Sequence, residues 1–168
     1  RLVTIEHAVP LVGADDRWRL ATVNYFDFRA HVPALADIGI YVTGAVNLEG
    51  PTGAERARAG MVSASVLETF RARPLHGRLL GEHDEARGAT RVAVLGHDFW
   101  RQRFAGDPRV VGTSVTIDAE PTEVVGVLPP NVHLPTSRVD VWMPLTLDST
   151  RVVNEHAYAS VARLADGA

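Results

Sequence analysis

The sequence predicts an α+β fold of mixed or antiparallel sheets with short helices, arranged as two lobes. Strand-like runs follow one another in adjacent pairs with few helices between them, a pattern that favours α+β over a doubly wound sheet. The runs with a helical period are short. Residues 73–88 are rich in Pro and Gly and then acidic, which is where a chain crosses between lobes. The expected division is a βαβ-rich lobe of residues 1–75 closed by 152–168, and a smaller β-rich lobe of 76–151.

Taken in order, residues 1–6 (RLVTIE) alternate and read as a first strand, and 7–17 read as a polar loop containing Gly and Pro. Tyr25, Phe28 and Val32 recur at spacings of three and four, so a short helix spans about 24–32 and stops before Pro33. Residues 38–48 (IGIYVTGAVNL) are a β-rich run, Gly50-Pro51-Thr52-Gly53 is a turn, and 54–63 (AERARAGMVS) suits a partly exposed partner strand. Ser65 reads as the cap of a short helix through Phe70, followed by an irregular 73–78 and an acidic surface loop at 82–88.

The stretch 91–130 carries the clearest pattern. Residues 91–95 (RVAVL) are apolar and bounded by Gly96, as in a mostly buried strand. Phe99, Arg103 and Phe104 stand at helical spacings with Trp100 one step round, which predicts an amphipathic helix over about 98–105 with Asp98 as N-cap. Gly106 stops it and Pro108 prevents its resumption. Residues 113–118 and 123–128, joined by Ala119-Glu120-Pro121-Thr122, read as a hairpin with Val115 and Ile117 on its buried face, and Pro129-Pro130 ends it. Phe99 or Trp100, together with Phe104, should pack beneath this hairpin against Val115, Ile117, Val125 and Val127. Further strands are expected at 139–144 and near 158–164.

Composition narrows the function classes. A chain of 168 residues, 46% hydrophobic, can build one good core or two small ones. The net charge of −3 leaves no electrostatic footprint for nucleic acid, although all 17 basic residues are arginine. There is no cysteine, which excludes disulfides and cysteine-ligated metals. No apolar run approaches the roughly 20 residues of a membrane-spanning helix. The chain begins at Arg1 rather than methionine and reads as a soluble piece excised from something longer.

A search for chemistry returns no catalytic, cofactor-binding or metal-binding residue. The seven histidines (His7, His31, His76, His83, His97, His133 and His156) are scattered, with no ligand pair at i, i+4 and no His-Glu-x-x-His. His83-Asp84-Glu85 lacks the regular oxygen spacing of a calcium loop and reads as a solvated charged loop. Ser63 and Ser65 have no Gly-x-Ser-x-Gly context. Neither Gly106-Asp107-Pro108 nor Gly126 resembles a phosphate loop. The polar groups with most chemical potential fall in three predicted loops: His7, Asp15 and Asp16; Glu82, His83, Asp84 and Glu85; and His133. They are expected to stand apart.

Several motifs, in order and spacing, resemble a known family. They are VSASVLETFRARPLHGRLL (62–80), then an acidic loop, then the 91–130 stretch with Phe99-Trp100, Arg103-Phe104, Gly106-Asp107-Pro108 and Val124 to Pro130, then VDVWMPL (139–145). Together they look like the MacB-like periplasmic core domain, in the version carried by the duplicated permeases of the FtsX-like ABC transporter superfamily. Arg1-Leu2-Val3 and Arg163-Leu164-Ala165-Asp166-Gly167 are similar to that family's opening strand and closing motif, so the resemblance covers nearly all of 1–168. Leu67 stands where the family usually has phenylalanine and Ala105 where it often has glycine, which read as packing changes. The family continues past its closing motif with a helix, a strand and membrane spans, so the resemblance implies further chain beyond Ala168.

The resemblance implies a porter-like βαβ lobe beside the β-rich one. It also implies a non-catalytic domain on the extracytoplasmic side of the cell membrane, with no cofactor. Its implied partners are the permease's own transmembrane helices, a separate cytoplasmic ABC ATPase, and a second permease copy or dimer mate. ATP hydrolysis would be coupled through the domain to work on an extracytoplasmic substrate or partner. The alternative is a passive extracellular binding module for lipid, peptide or cell-wall material, which a deep apolar pocket would favour.

Overall fold

The computed structural model describes residues 1–8, 17–50, 53–135, 137–147 and 156–167. Its elements are β1 (Leu2–Val3), β2 (His7–Ala8), β3 (Arg17–Trp18), α1 (Thr22–His31), β4 (Leu35–Gly50), β5 (Gly53–Val62), α2 (Ala64–Thr69), β6 (His76–Gly77), β7 (Val92–Leu95), α3 (His97–Arg103), β8 (Ser114–Ile117), β9 (Glu120–Val127), β10 (Val141–Pro144) and β11 (Ala159–Leu164). The class is α+β, a mixed sheet with a few short helices. The expected loop at 7–17 is bounded by a short ladder instead, since His7 and Ala8 pair with Trp18 and Arg17, while 9–16 lie outside the described residues. Pro51 and Thr52 of the expected turn also lie outside them, but Gly50 pairs with Gly53 as that turn requires.

Nine of the strands make one sheet in the order β1-β11-β4-β5-β10-β7-β9-β6, with β8 pairing both β4 and β9. The β4–β5 hairpin is its longest ladder, from Tyr41↔Val62 to Gly50↔Gly53. Parallel pairs β5–β10 and β7–β9 are separated by the antiparallel pair β10–β7. The single pairing Leu48↔Ile117 joins β8 to the far end of β4 and closes a circuit of six strands, β4-β5-β10-β7-β9-β8.

Each strand of that circuit sends at least one residue into the same apolar cluster: Val46 and Leu48, Ala57 and Ala59, Val141, Ala93 and Leu95, Val124 and Val127, and Ile117. Phe99 and Trp100 of α3 complete it, with Phe104 and Val115 packed against it. The expected packing of α3 under the hairpin is therefore found for Phe99, Trp100, Phe104, Val115, Ile117 and Val127, but not for Val125. The reason is a bulge. Ala93 pairs with Val124 and Val94 with Gly126, so Val125 is the extra residue and turns with Leu128 to a second cluster, beside Trp142, Val66 and Leu67.

Strand pairing does not confirm the two-lobe expectation. Hydrogen bonding runs from β5 to β10 and on to β7 without a break, so strand pairing gives no boundary between 1–75 and 76–151. The link is β10, which lies parallel to β5 and antiparallel to β7. A third cluster, of Leu20, Tyr25, Ile38, Ile40 and Ala162, holds α1 against β4 and β11.

Three local expectations are also corrected. The helix expected to start at Asp98 starts one residue earlier, with Gly96 as N-cap. A Cβ at Gly96 would lie 2.6 Å from the Val139 carbonyl oxygen, so glycine permits the tight passage from β7 straight into α3. The hairpin turn is Asp118-Ala119, both in the left-handed region at φ 50° and 64°, rather than 119–122. This two-residue connection matches the strand twist, and it draws Glu120-Pro121-Thr122 into β9. Ser65 is inside α2, not its cap; Ser63 holds the cap position.

Candidate functional site

The hydroxyls that a hydrolase search would single out finish a strand pairing. β5 leaves β4 at Val62↔Tyr41, and Ser63 takes over: its N–H donates to the Ile40 carbonyl at 2.9 Å and its Oγ accepts the Ile40 N–H at 3.0 Å. Ser63 Oγ lies 2.8 Å from Ser65 Oγ, which lies 3.0 Å from the Tyr25 hydroxyl of α1. Arg29, one turn along α1, donates to that hydroxyl at 3.3 Å. None of these partners is a base that would activate a serine. The row ties α1, α2 and β4 together. Gly39 sharpens the fit, because a Cβ there would fall 2.6 Å from the Val66 backbone nitrogen.

Residues Glu82–Glu85 form a 3-10 turn whose carboxylates point in three directions. Asp84 is buried and accepts two bonds from the Arg78 guanidinium, at 2.6 and 2.9 Å, and one from the Gly81 N–H at 2.8 Å. Burial alone would raise its pKa, but these donors outweigh it and hold the carboxyl below its ordinary range. Glu82 pairs with Arg29 at 2.7 Å. Glu85 accepts the N–H of Ala64, the first residue of α2. Burial, with Glu82 and Glu68 nearby, pushes the Glu85 carboxyl up despite that bond and Arg29. The expectation of a solvated acidic loop is thus corrected: two of its carboxylates anchor the turn inward.

His133 lines a small cleft with Arg58, His97, Asp98, Arg138 and Asp140. Arg58 grips Asp140 with two guanidinium bonds, at 2.9 and 2.7 Å, and its backbone N–H donates to the same carboxylate at 2.9 Å. These bonds overcome burial and hold Asp140 below the ordinary range. His97 Nδ1 stands 3.2 Å from Asp98, which also meets Arg138 at 3.4 Å. Of the three predicted loops, two fall among the described residues: the 82–85 turn engages α1 and α2, and His133 faces α3. Asp15 and Asp16 lie outside the described residues, as does the side chain of His7. Among the described residues, no group of three or more His, Cys, Asp or Glu is placed to hold a metal ion.

Sequence reasoning missed the Arg78–Asp84 and Arg58–Asp140 pairs. Their partners are 6 and 82 residues apart, and no local pattern links an arginine to a carboxylate at such spacings.

These contacts define an α+β scaffold in which the polar clusters join one element to another. The family model of the MacB-like periplasmic core domain matches residues 3–168, and the chain belongs to that family. It is the extracytoplasmic domain of a MacB-like ABC transporter permease. Solved structures agree in fold. A domain of a Porphyromonas gingivalis protein named as a permease aligns with TM-score 0.70 at 15% identity, over 100% of this chain and 76% of that one. The periplasmic region of MacB from Actinobacillus actinomycetemcomitans aligns with TM-score 0.65 at 12% identity, over 99% and 74%. The extracellular domain of the ABC-type transporter YknZ from Gram-positive bacteria aligns with TM-score 0.62 at 12% identity, over 85% and 71%. A comparison with curated proteins finds no match. No helix among the described residues is long and apolar enough to cross a membrane.

Proposed function

We propose that this domain carries movement rather than catalysing a reaction: ATP binding and hydrolysis on a separate cytoplasmic ATPase move the permease's membrane helices, and the domain turns that movement into work on an extracytoplasmic substrate or partner. The observation that carries this reading is the placement of the first and last strands. β1 and β11 are antiparallel neighbours, Leu2↔Arg163 and Val3↔Ala162, and the Leu164 N–H donates to the Arg1 carbonyl at 2.9 Å. Movement delivered through either strand therefore enters one hydrogen-bonded sheet at one place. Ser160 reinforces the junction: its hydroxyl accepts the Ile5 N–H at 2.9 Å and donates to the Ile5 carbonyl at 2.6 Å, beyond the last backbone pairing. A sheet of nine strands with apolar clusters on it moves as a body rather than deforming strand by strand.

The passive-binder alternative asks for a deep apolar pocket. The cleft beside α3 mixes charged and histidine side chains with Phe99, Val132 and Val139, and the wider hollow at Phe104, Val110 and Thr113 is open to solvent and not deep.

The test is a distance measurement in the full permease reconstituted with its ATPase. Spin labels at Arg101, on the exposed side of α3, and at a membrane-helix position should change separation when ATP is bound and again on hydrolysis. An unchanged distance distribution through the ATPase cycle, with the ATPase turning over, would overturn the coupling.

A further inference from the structure

We propose that the Glu82–Glu85 turn is a proton-sensitive latch that holds α1 and α2 to the sheet. This inference does not depend on the domain transmitting movement. It starts from the division of labour among the turn's carboxylates. Asp84, bound to Arg78 and to the Gly81 N–H, fixes the turn to the strand side of the molecule. Glu82 reaches α1 through Arg29, and Glu85 reaches α2 through Ala64. One short turn therefore closes over both helices.

α2 has need of Glu85. Its N-cap is Ser63, whose side chain makes no cap bond because its hydroxyl is turned to Ile40 and Ser65. An uncapped first turn leaves backbone N–H groups without partners. Glu85 supplies a carboxylate to the first of them from a different part of the chain. The same Arg29 that holds Glu82 also donates to Tyr25, whose hydroxyl meets Ser65 of α2. Opening the turn loosens both helices at their shared row.

The proton enters through the surroundings of Glu85. Its neighbours by charge are Glu82 on its own turn, Arg29 on α1 and Glu68 on α2: two carboxylates against one guanidinium, at a half-buried position. Beyond them on the turn, the ionised Asp84 is paired with Arg78, with His83 at 3.4 Å. Burial and the two carboxylates disfavour the ionised form in the closed state, and water removes both effects when the turn opens. The closed latch thus binds the proton more tightly than the open one. By linkage its closure is strengthened below Glu85's ordinary value and weakens as pH rises through the raised value. A protonated Glu85 still accepts the Ala64 N–H through its carbonyl oxygen. Asp84 titrates on the other side of its ordinary value, so the anchor stays charged while the latch responds.

Amide hydrogen exchange of the 168-residue chain, corrected for intrinsic rates, tests this from about pH 4 to about pH 8, a span that covers ordinary and raised carboxyl values. In the wild type, protection of the first turn of α2 should fall several-fold as pH rises. In Glu85→Gln, which keeps an acceptor without the charge, protection should be flat. A flat wild-type profile, or a Glu85→Gln profile that keeps the wild-type slope, overturns the latch. Carboxyl-carbon NMR titration of Glu85 in the wild type stands independently of the variant's folding: a midpoint above the ordinary glutamate value supports the latch, and one at or below it overturns it.

Discussion

Ala105 sits in the left-handed region at φ 52°, directly before Gly106 at φ 69°. An L-residue with a Cβ is strained there, whereas glycine is not. The departure from the family's frequent glycine is therefore a matter of backbone, not of packing. Ala105→Gly should stabilise the chain by about 0.5–1 kcal/mol in a denaturant titration; a loss of stability would show that the alanine methyl makes a contact worth more than the strain. Phe99 is a different case at the same scale. It is buried against Phe104, ring centroids 6.3 Å apart, in the apolar cluster to which the circuit's strands contribute. Phe99→Ala should cost roughly 3–5 kcal/mol, and a variant that melts like the parent would put this side chain outside the core. Composition and spacing were enough to nominate Phe99 or Trp100, with Phe104, for the core. They carried no information about the backbone at Ala105, because a left-handed residue leaves no periodic trace.

Among the elements, the hairpin of β8 and β9 was legible and its turn was not. Asp118-Ala119 lacks the Asn-Gly signature of a two-residue turn. What stabilises it is tertiary: Asp118 accepts the Asn47 N–H at 2.8 Å and its side-chain amide at 3.1 Å, and returns its own N–H to the Asn47 carbonyl at 2.9 Å. The turn is thereby stitched to β4 at the point where the circuit closes. Asp118→Ala should cost about 1 kcal/mol and should raise amide exchange at Asn47 as well as in the turn; an effect confined to 118–119 would mean the stitch contributes nothing to closure. α2 follows the same logic. Its apolar residues were readable, but its start was misplaced by two residues, because Ser63 stands at the N-cap with its hydroxyl turned to β4 instead of to the helix.

For the whole molecule, charge sets how the fold responds to acid. Asp84 and Asp140 are each held below the ordinary aspartate value by an arginine. A carboxyl with a depressed folded value contributes stability above its unfolded value and loses it as pH falls through the folded one. The chain should lose stability progressively below about pH 3.8, the ordinary value for these groups. Chemical denaturation across that range should give Asp84→Asn and Asp140→Asn each a shallower acid slope than the wild type. Equal slopes in all three would mean that neither pair differs between the folded and unfolded chain. Arg58–Asp140 joins β5 to the start of β10, and Arg78–Asp84 joins the end of β6 to the 82–85 turn. Acid should therefore loosen the junction of β5 with β10, where the chain's two halves meet, and free the 82–85 turn from the end of β6.

The sequence by itself determined the α+β class, the apolar strands and α3 as core elements, and the family, because each rests on residue types repeating at a local period or standing in a fixed order. Only the tertiary structure decided that the two halves share one sheet. β10 pairs with β5 although Val141 lies 82 positions after Ala59, and a strand's own residues do not say which neighbour it will pair with. The same holds for the bulge at Val125, for the Arg78 and Arg58 ion pairs, and for Glu85 on the first N–H of α2. Each joins groups that are unremarkable in their own segment and acquire a role only when the fold brings a partner to them.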